Sequence, residues 1–246
     1  CPSGVNYMHL IDHGRNYVEE TYKRPFLDRL FRNILSFVLP RPKAFLLMAW
    51  SSKIVKPFSF LFPKFIRNAL NLMPDKIPGK KLKEKKVYEV EKGKKVSRVA
   101  LLTGCVQRVI SPEINESTIR LLNRHNVEVV VMPDIYCCGS LNHHLGKQKL
   151  AHESFRNNIN SWHEEYLNNG LDAIISNTSG CGTTLKDYGH IFKNDKDLKK
   201  KAKKISELTK DITEYLDENL KLNINLNTEK KYKIAYHSAC SMQHGQ

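Results

Sequence analysis

From Val96 to Thr228 short apolar runs alternate with longer amphipathic stretches, and this alternation constrains the fold more than any other feature of the sequence. "RVALLTG", "VEVVVMP" and "DAIISNTS" are compact, β-branched and bounded by turn residues, so each predicts a buried strand. Between them, "SPEINESTIRLLNRHN" opens with Ser then Pro, the order of an N-cap and a first helical residue. "GKQKLAHESFRNNINSWHEEYLNNG" runs at helical period to Gly170, and "TTLKDYGHIF" leads to one long polar helix around "KAKKISELTKDITEYLDENL". Strands alternating with helices predict an α/β fold built from βαβ units around a parallel sheet. A later run, "KYKIAYHSAC", repeats the layout of "VSRVALLTGC" and predicts the first strand of a second copy of that unit.

The six cysteines stand at 1, 105, 137, 138, 181 and 240. Cys105 follows the first predicted strand, Cys137 and Cys138 the second, Cys181 the third and Cys240 the strand of the second copy. In an open parallel sheet the carboxyl ends of the strands share one edge, and ligands bind in the crevice there. If the strands are neighbours, the first four thiols converge despite their distance in sequence. Clustered thiols in a reducing compartment suit a structural zinc ion, an iron–sulfur cluster or a redox thiol pair. Structural zinc draws on tight C-x(2–4)-C knuckles, which are absent here. Iron–sulfur clusters accept thiolates from scattered loops, and adjacent Cys137 and Cys138 offer two sulfurs from one turn that Gly139 makes possible. "SGCG" sets Cys181 at an expected helix N-terminus, where the dipole favours thiolate sulfur. Free cysteine is also a common core residue, and Cys240 alone fits that bland role as well as a ligand's. "CPSGV" has the form of the terminal Cys-Pro of a bacterial ferredoxin run, which places Cys1 on a separate cluster.

The rest of the chain is less specific. Prolines at 25, 40, 42, 57, 63 and 74 divide the segment 25–95 into short helices, the first with Leu27, Leu30, Phe31, Ile34 and Val38 at helical spacing. Between Lys23 and Leu70 there are ten Lys+Arg and one acid, Asp28. Two readings stay open: a linker whose stripe packs on a neighbouring domain, or a basic amphipathic surface for an anionic membrane or a partner. "PGKKLKEKKVYEVEKGKK" reads as an exposed connector, and residues 1–24 as a turn-rich start that becomes helical at "NYVEETYKR". The net charge of +15 can mark nucleic-acid or membrane contact, but much of it is scattered lysine on solvated faces. No nucleic-acid motif, export leader or membrane-length apolar run is visible. Both ends read as cuts in a longer polypeptide.

With these residues in place, the chain resembles the iron–sulfur subunits of bacterial glycolate oxidase (glycolate dehydrogenase). The carriers are "CPSGVNYMHLIDHGR", "KRPFLDRLFR", "GCVQRVISPEIN", "CCGSLNHHLG", "NNINSW", "SGCGTTLKDYGHIFKND" and "YHSACSMQHGQ". The Cys-Cys-Gly pattern alone also fits lactate-utilisation, glycerol-3-phosphate dehydrogenase and heterodisulfide reductase subunits. The resemblance implies the end of a ferredoxin-like 4Fe–4S domain at 1–24 and a helical basic linker at 25–95. It further implies a first Cys-Cys-Gly domain at 96–228 and the start of a second at 229–246. It implies a 4Fe–4S cluster on Cys105, Cys137, Cys138 and Cys181, with Cys1 in the ferredoxin set and Cys240 opening the second Cys-Cys-Gly set. "SGCGTT" carries one cysteine where heterodisulfide reductase relatives carry C-x-x-C, so one cluster on four sulfurs is expected. The implied role is electron transfer, from an FAD-bearing partner subunit that oxidises glycolate to glyoxylate on to a membrane quinone or similar acceptor. The implied location is cytoplasmic, with peripheral contact to the inner membrane through 25–74. No residue need act as a chemical base. His143, His144, His190, His237 and His244 lie near the cysteines in sequence, as sulfur-tuning groups or as ordinary surface and capping histidines.

Overall fold

A computed structural model describes residues 4–73, 77, 87–90, 93–220, 233–237, 240 and 243, so Cys1 and His244 lie outside the described residues. The helices before the sheet are α1 (Tyr7–Thr21), α2 (Phe26–Val38), α3 (Pro42–Val55), a 3-10 helix (Lys56–Leu61) and α4 (Lys64–Asn71). Then follow β1 (Val87–Tyr88), β2 (Ser97–Leu102), α5 (Gln107–Ile110), α6 (Pro112–Arg124) and β3 (Val127–Val130). The remainder is α7 (Ser140–His144), α8 (Gln148–Asn169), β4 (Ala173–Ser176), α9 (Ser179–Ile191), α10 (Lys199–Leu208), β5 (Thr209–Asp211) and α11 (Ile212–Asn219). Two compact units emerge: Cys1–Lys85 with Thr103–Ser117 and Pro133–Asn158, and Lys86–Leu102 with Thr118–Met132 and Ile159–Gln246.

The second unit holds the sheet, in the order β1-β3-β2-β4-β5. The pairs β2–β3, β2–β4 and β4–β5 are parallel, as the βαβ pattern predicts, and only β1 runs antiparallel, against β3. The register sets Val99 opposite both Val129 and Ala173, and all three are buried, as strands covered on both faces require. Trp162, Leu185, Tyr188, Ile205 and Tyr215 complete this core. At the amino end of β2, Arg98 reaches Glu128 at 2.6 Å and Glu165 at 2.7 Å, and donates to the Gly170 carbonyl at 3.1 Å. This shared cation offsets the charge of two carboxylates that burial would otherwise penalise.

Four local expectations change. Helix α1 begins at Tyr7 rather than near Asn16, because Asn6 caps it by accepting from the His9 N–H at 3.4 Å. The charged connector contributes an edge strand, Val87–Tyr88. The single long helix expected near the end is two, α10 and α11, split by β5. Buried Thr209 pairs with Ile174 in the sheet, and Asp211 then starts a new helix through a capping box with Glu214. Residues 233–237, expected as a strand, have no regular structure, with Ile234 and Tyr236 exposed; a strand needs a ladder partner for its backbone groups. Among the described residues no helix is long and apolar enough to cross a membrane.

Candidate metal centre

Strand order decides which loops start side by side. β2 lies between β3 and β4, all three parallel, so their carboxyl ends are adjacent. Along the chain, Cys105 comes just after β2, Cys137 and Cys138 after β3, and Cys181 after β4.

Within the first unit, Cys105, Cys137 and Cys138 come together. Hydrogen bonds from the thiols of Cys105 and then Cys138 lower the Cys137 thiol to about 3, with the Gly139 N–H adding to them and burial opposing. That N–H lies 3.3 Å from the Cys137 sulfur. Cys137 is thus a buried thiol biased toward the thiolate, which is the form that binds metal. Cys138 is buried beside it and Cys105 is half-buried. Gly139 has φ +83°, a left-handed turn that lets the chain enter α7 directly after the pair.

Two buried asparagines hold the loops in place. Asn158, from α8, donates to the Cys137 carbonyl at 2.8 Å, and Asn115, from α6, donates to the Thr103 carbonyl at 2.8 Å. Asn115 also accepts from Gln107 at 2.9 Å. Thr103, two residues before Cys105, is 2% exposed, and its hydroxyl has no hydrogen-bond partner among the described residues. Such an atom is costly unless something accepts its proton. Among the described residues no three His, Cys, Asp or Glu side chains are grouped as ligands of a single ion.

His143 and His144 hold Asp12 of α1. His143 Nε2 lies 3.3 Å from Asp12 Oδ2, and His144 Nδ1 donates to Asp12 Oδ1 at 2.8 Å. Arg15 adds a bond to Oδ1 at 2.9 Å. Burial alone would raise the Asp12 carboxyl, but the hydrogen bonds and charge of both histidines outweigh it and hold the group well below the usual carboxylate range. Around this acid, Arg32 donates to the Leu145 carbonyl at 2.7 Å, Ser36 to Asn142 at 2.6 Å, and Lys147 bonds Asn33. Polar side chains of α1 and α2 thus fasten the segment that begins with the cysteine pair.

A depressed carboxyl contributes stability that is fully present above its ordinary value, near 3.9, and is lost as pH falls below it. Asp12→Asn is expected to cost about 1.5–3 kcal/mol at neutral pH, the range for hydrogen bonds to a charged group. The gap to the parent should then narrow as pH falls below 4. Urea midpoints at neutral and acid pH check this, and a gap independent of pH would refute the assignment.

Cys181 sits in the first turn of α9, half-buried, as expected of a cysteine at a helix N-terminus. Cys240 is exposed. His190 lies in the last turn of α9, near Lys193 at 3.5 Å, and His237 is exposed. Sequence reasoning missed Asp12, Asn115 and Asn158. A lone acid in a helix and a single asparagine in a helical stretch carry no spacing signal, although "NNINSW" and "SPEIN" contain the two clamps.

Residues 99–186 match the family described as "CCG: Cysteine-rich domain". The chain is 35% identical to the glycolate oxidase iron-sulfur subunit of Escherichia coli, over all of this chain and 56% of the relative. It is 27% identical to the probable glycolate oxidase iron-sulfur subunit of Bacillus subtilis, over 82% of this chain and 47% of the relative. It is 26% identical to lactate utilization protein A of Anoxybacillus flavithermus, over 58% of each chain. The chain thus spans about half the length of the curated relatives it matches. No solved structure matches it significantly. Residues 99–186 therefore belong to the cysteine-rich Cys-Cys-Gly domain family, within a chain similar along its whole length to an iron–sulfur subunit of glycolate oxidase.

Proposed function

We propose that this chain is the iron–sulfur electron-transfer subunit of a 2-hydroxy-acid dehydrogenase, glycolate being the substrate of the complex. A flavin-bearing partner takes electrons from the acid, and this chain passes them to a quinone or similar membrane acceptor. The observation that carries the reading is the meeting of the Cys105, Cys137 and Cys138 thiols, with the Gly139 N–H on the Cys137 sulfur. We assign one cluster to Cys105, Cys137, Cys138 and Cys181, supported by the order β3-β2-β4. Cys1 and Cys240 go to two further sites.

The residues fit such a group. The donor set is all thiol, one member is biased toward the thiolate, and the buried Thr103 hydroxyl has a proton to offer an inorganic sulfide. A 4Fe–4S cluster bound there would take up and release single electrons. The chain's own work is to hold the sulfurs at fixed positions through Asn158 and Gly139, to exclude water by burying Cys137 and Cys138, and to set the polarity around them.

The test is iron and acid-labile sulfide in the full chain purified without oxygen. Low iron together with a Cys105–Cys137 disulfide would favour a dithiol redox pair instead, which a thiol held near 3 beside a second thiol also suits.

Thr103→Val separates the two states of the site. Removing an unsatisfied buried hydroxyl should stabilise the cluster-free protein by about 1 kcal/mol or more. In the loaded protein it should lower the midpoint potential, because a donor to sulfur is lost. Thermal melts and a redox titration followed by electron paramagnetic resonance check both signs. An unchanged potential would mean that the hydroxyl does not face the cluster.

A further inference from the structure

Where the Cys105 and Cys137 thiols meet, the side chains beside them in sequence meet as well. Arg108 stands just after Cys105 and Tyr136 just before Cys137, and the Arg108 guanidinium lies 5.1 Å from the centroid of the Tyr136 ring. The two cysteine loops are therefore closed on each other twice, once by sulfur and once by a cation on a ring. Short covalent legs tie the charge to both cysteines.

Each half of the second closure is held by its backbone. Tyr136 is 41% exposed between buried Ile135 and buried Cys137. Asn157 donates to the Asp134 carbonyl at 3.1 Å and Asn158 to the Cys137 carbonyl at 2.8 Å, so the chain on both sides of the ring is fastened to α8. On the other loop, Gln107 donates to Asn115 at 2.9 Å and Val109 is buried, with half-buried Arg108 between them. An arginine lies flat on an aromatic face, which a lysine does not, so the charge keeps one position.

Residues 103–117 and 133–146 lie in one compact unit and contain a single Lys or Arg, which is Arg108. The acids there are Glu113, Glu116 and Asp134, of which Glu113 and Asp134 are exposed to screening water. His143 and His144 are turned to Asp12. An iron–sulfur cluster on thiolates is an anion whose potential follows the charge around it.

We propose that Arg108, stacked on Tyr136, is the fixed cation of the cysteine site, placing positive charge beside the sulfurs and raising the potential of the cluster they hold. The role in potential rests on the cluster reading; the placement of the charge does not.

The test uses the full chain in two states. Purified without oxygen, Arg108→Gln should keep the parent's iron content and melting temperature, because a half-exposed cation on a ring adds little to stability. Its cluster should be about three- to tenfold harder to reduce, a fall of about 30–60 mV at 59 mV per tenfold for one electron. That difference should shrink as salt rises. Arg108→Lys and Tyr136→Phe should stay near the parent, and Asp134→Asn should move the potential the opposite way. In the cluster-free chain, anionic iodoacetate and neutral iodoacetamide compete for the half-buried Cys105 thiol. Arg108→Gln should lower the iodoacetate share there about threefold. An unchanged potential in Arg108→Gln at full iron, an equal fall in Arg108→Lys, or an unchanged alkylation ratio would each overturn the proposal and leave the cluster reading standing. A parent chain without iron would overturn the cluster reading and the role in potential with it.

Discussion

Cys137→Ser should purify with about four fewer iron atoms and four fewer labile sulfides per chain than the parent, the content of one 4Fe–4S cluster. Serine keeps the shape of the side chain, so the change tests ligation rather than packing. What it removes is the buried sulfur on which two neighbouring thiols and the Gly139 N–H converge. Cys138→Ser and Cys105→Ser should have the same effect, since each supplies a thiol bonded to Cys137. Cys181→Ser is the sharper test of the set, because its place rests on β4 adjoining β2. Full iron in Cys181→Ser with loss in the other three would move the fourth ligand elsewhere. Full iron in Cys137→Ser would remove the site altogether.

The parts of the fold legible from sequence were those where one force acts alone. β2, β3 and β4 are short apolar runs between turns, and burial on both faces leaves them no other state. β5 was hidden because Thr209-Lys210-Asp211 lies inside a helical period, and only pairing with β4 makes it a strand. The Asp211–Glu214 capping box was the available signal and was overrun by the surrounding lysines and glutamates. Residues 233–237 carry a strand's composition, but composition does not supply a partner.

At the site, strand logic led to the expectation that Cys105, Cys137, Cys138 and Cys181 converge, and the first three are hydrogen-bonded at Cys137. The histidines show where such logic ends. His143 and His144 stand beside the cysteines in sequence, yet they serve an acid more than a hundred residues away. Helix α2 makes the same point for surfaces. Periodicity finds the stripe from Leu27 to Val38 but not the side it faces, and here the polar side bonds inward.

Gly139→Ala should be the most damaging single change outside the thiols, at about 2–6 kcal/mol, with loss of the cluster as a consequence. Two costs add. At φ +83° any side chain is strained, by about 1–3 kcal/mol. A Cβ there would also lie 2.4 Å from Phe155 Cε1 and 2.7 Å from its Cδ1, closer than real contacts. Phe155 is fully buried and cannot swing away, and overpacking of this kind costs about 1–3 kcal/mol more. The His143 ring, packed edge-on to Phe155 with centroids 5.6 Å apart, would be pushed with it, and so would its contact with Asp12. Gly139→Ala combined with Phe155→Leu isolates the steric share, since the two residues touch. The double variant should melt above the sum of the two single effects. Strict additivity would assign the whole cost to the backbone and show that Phe155 does not press on the turn that carries the two cysteines.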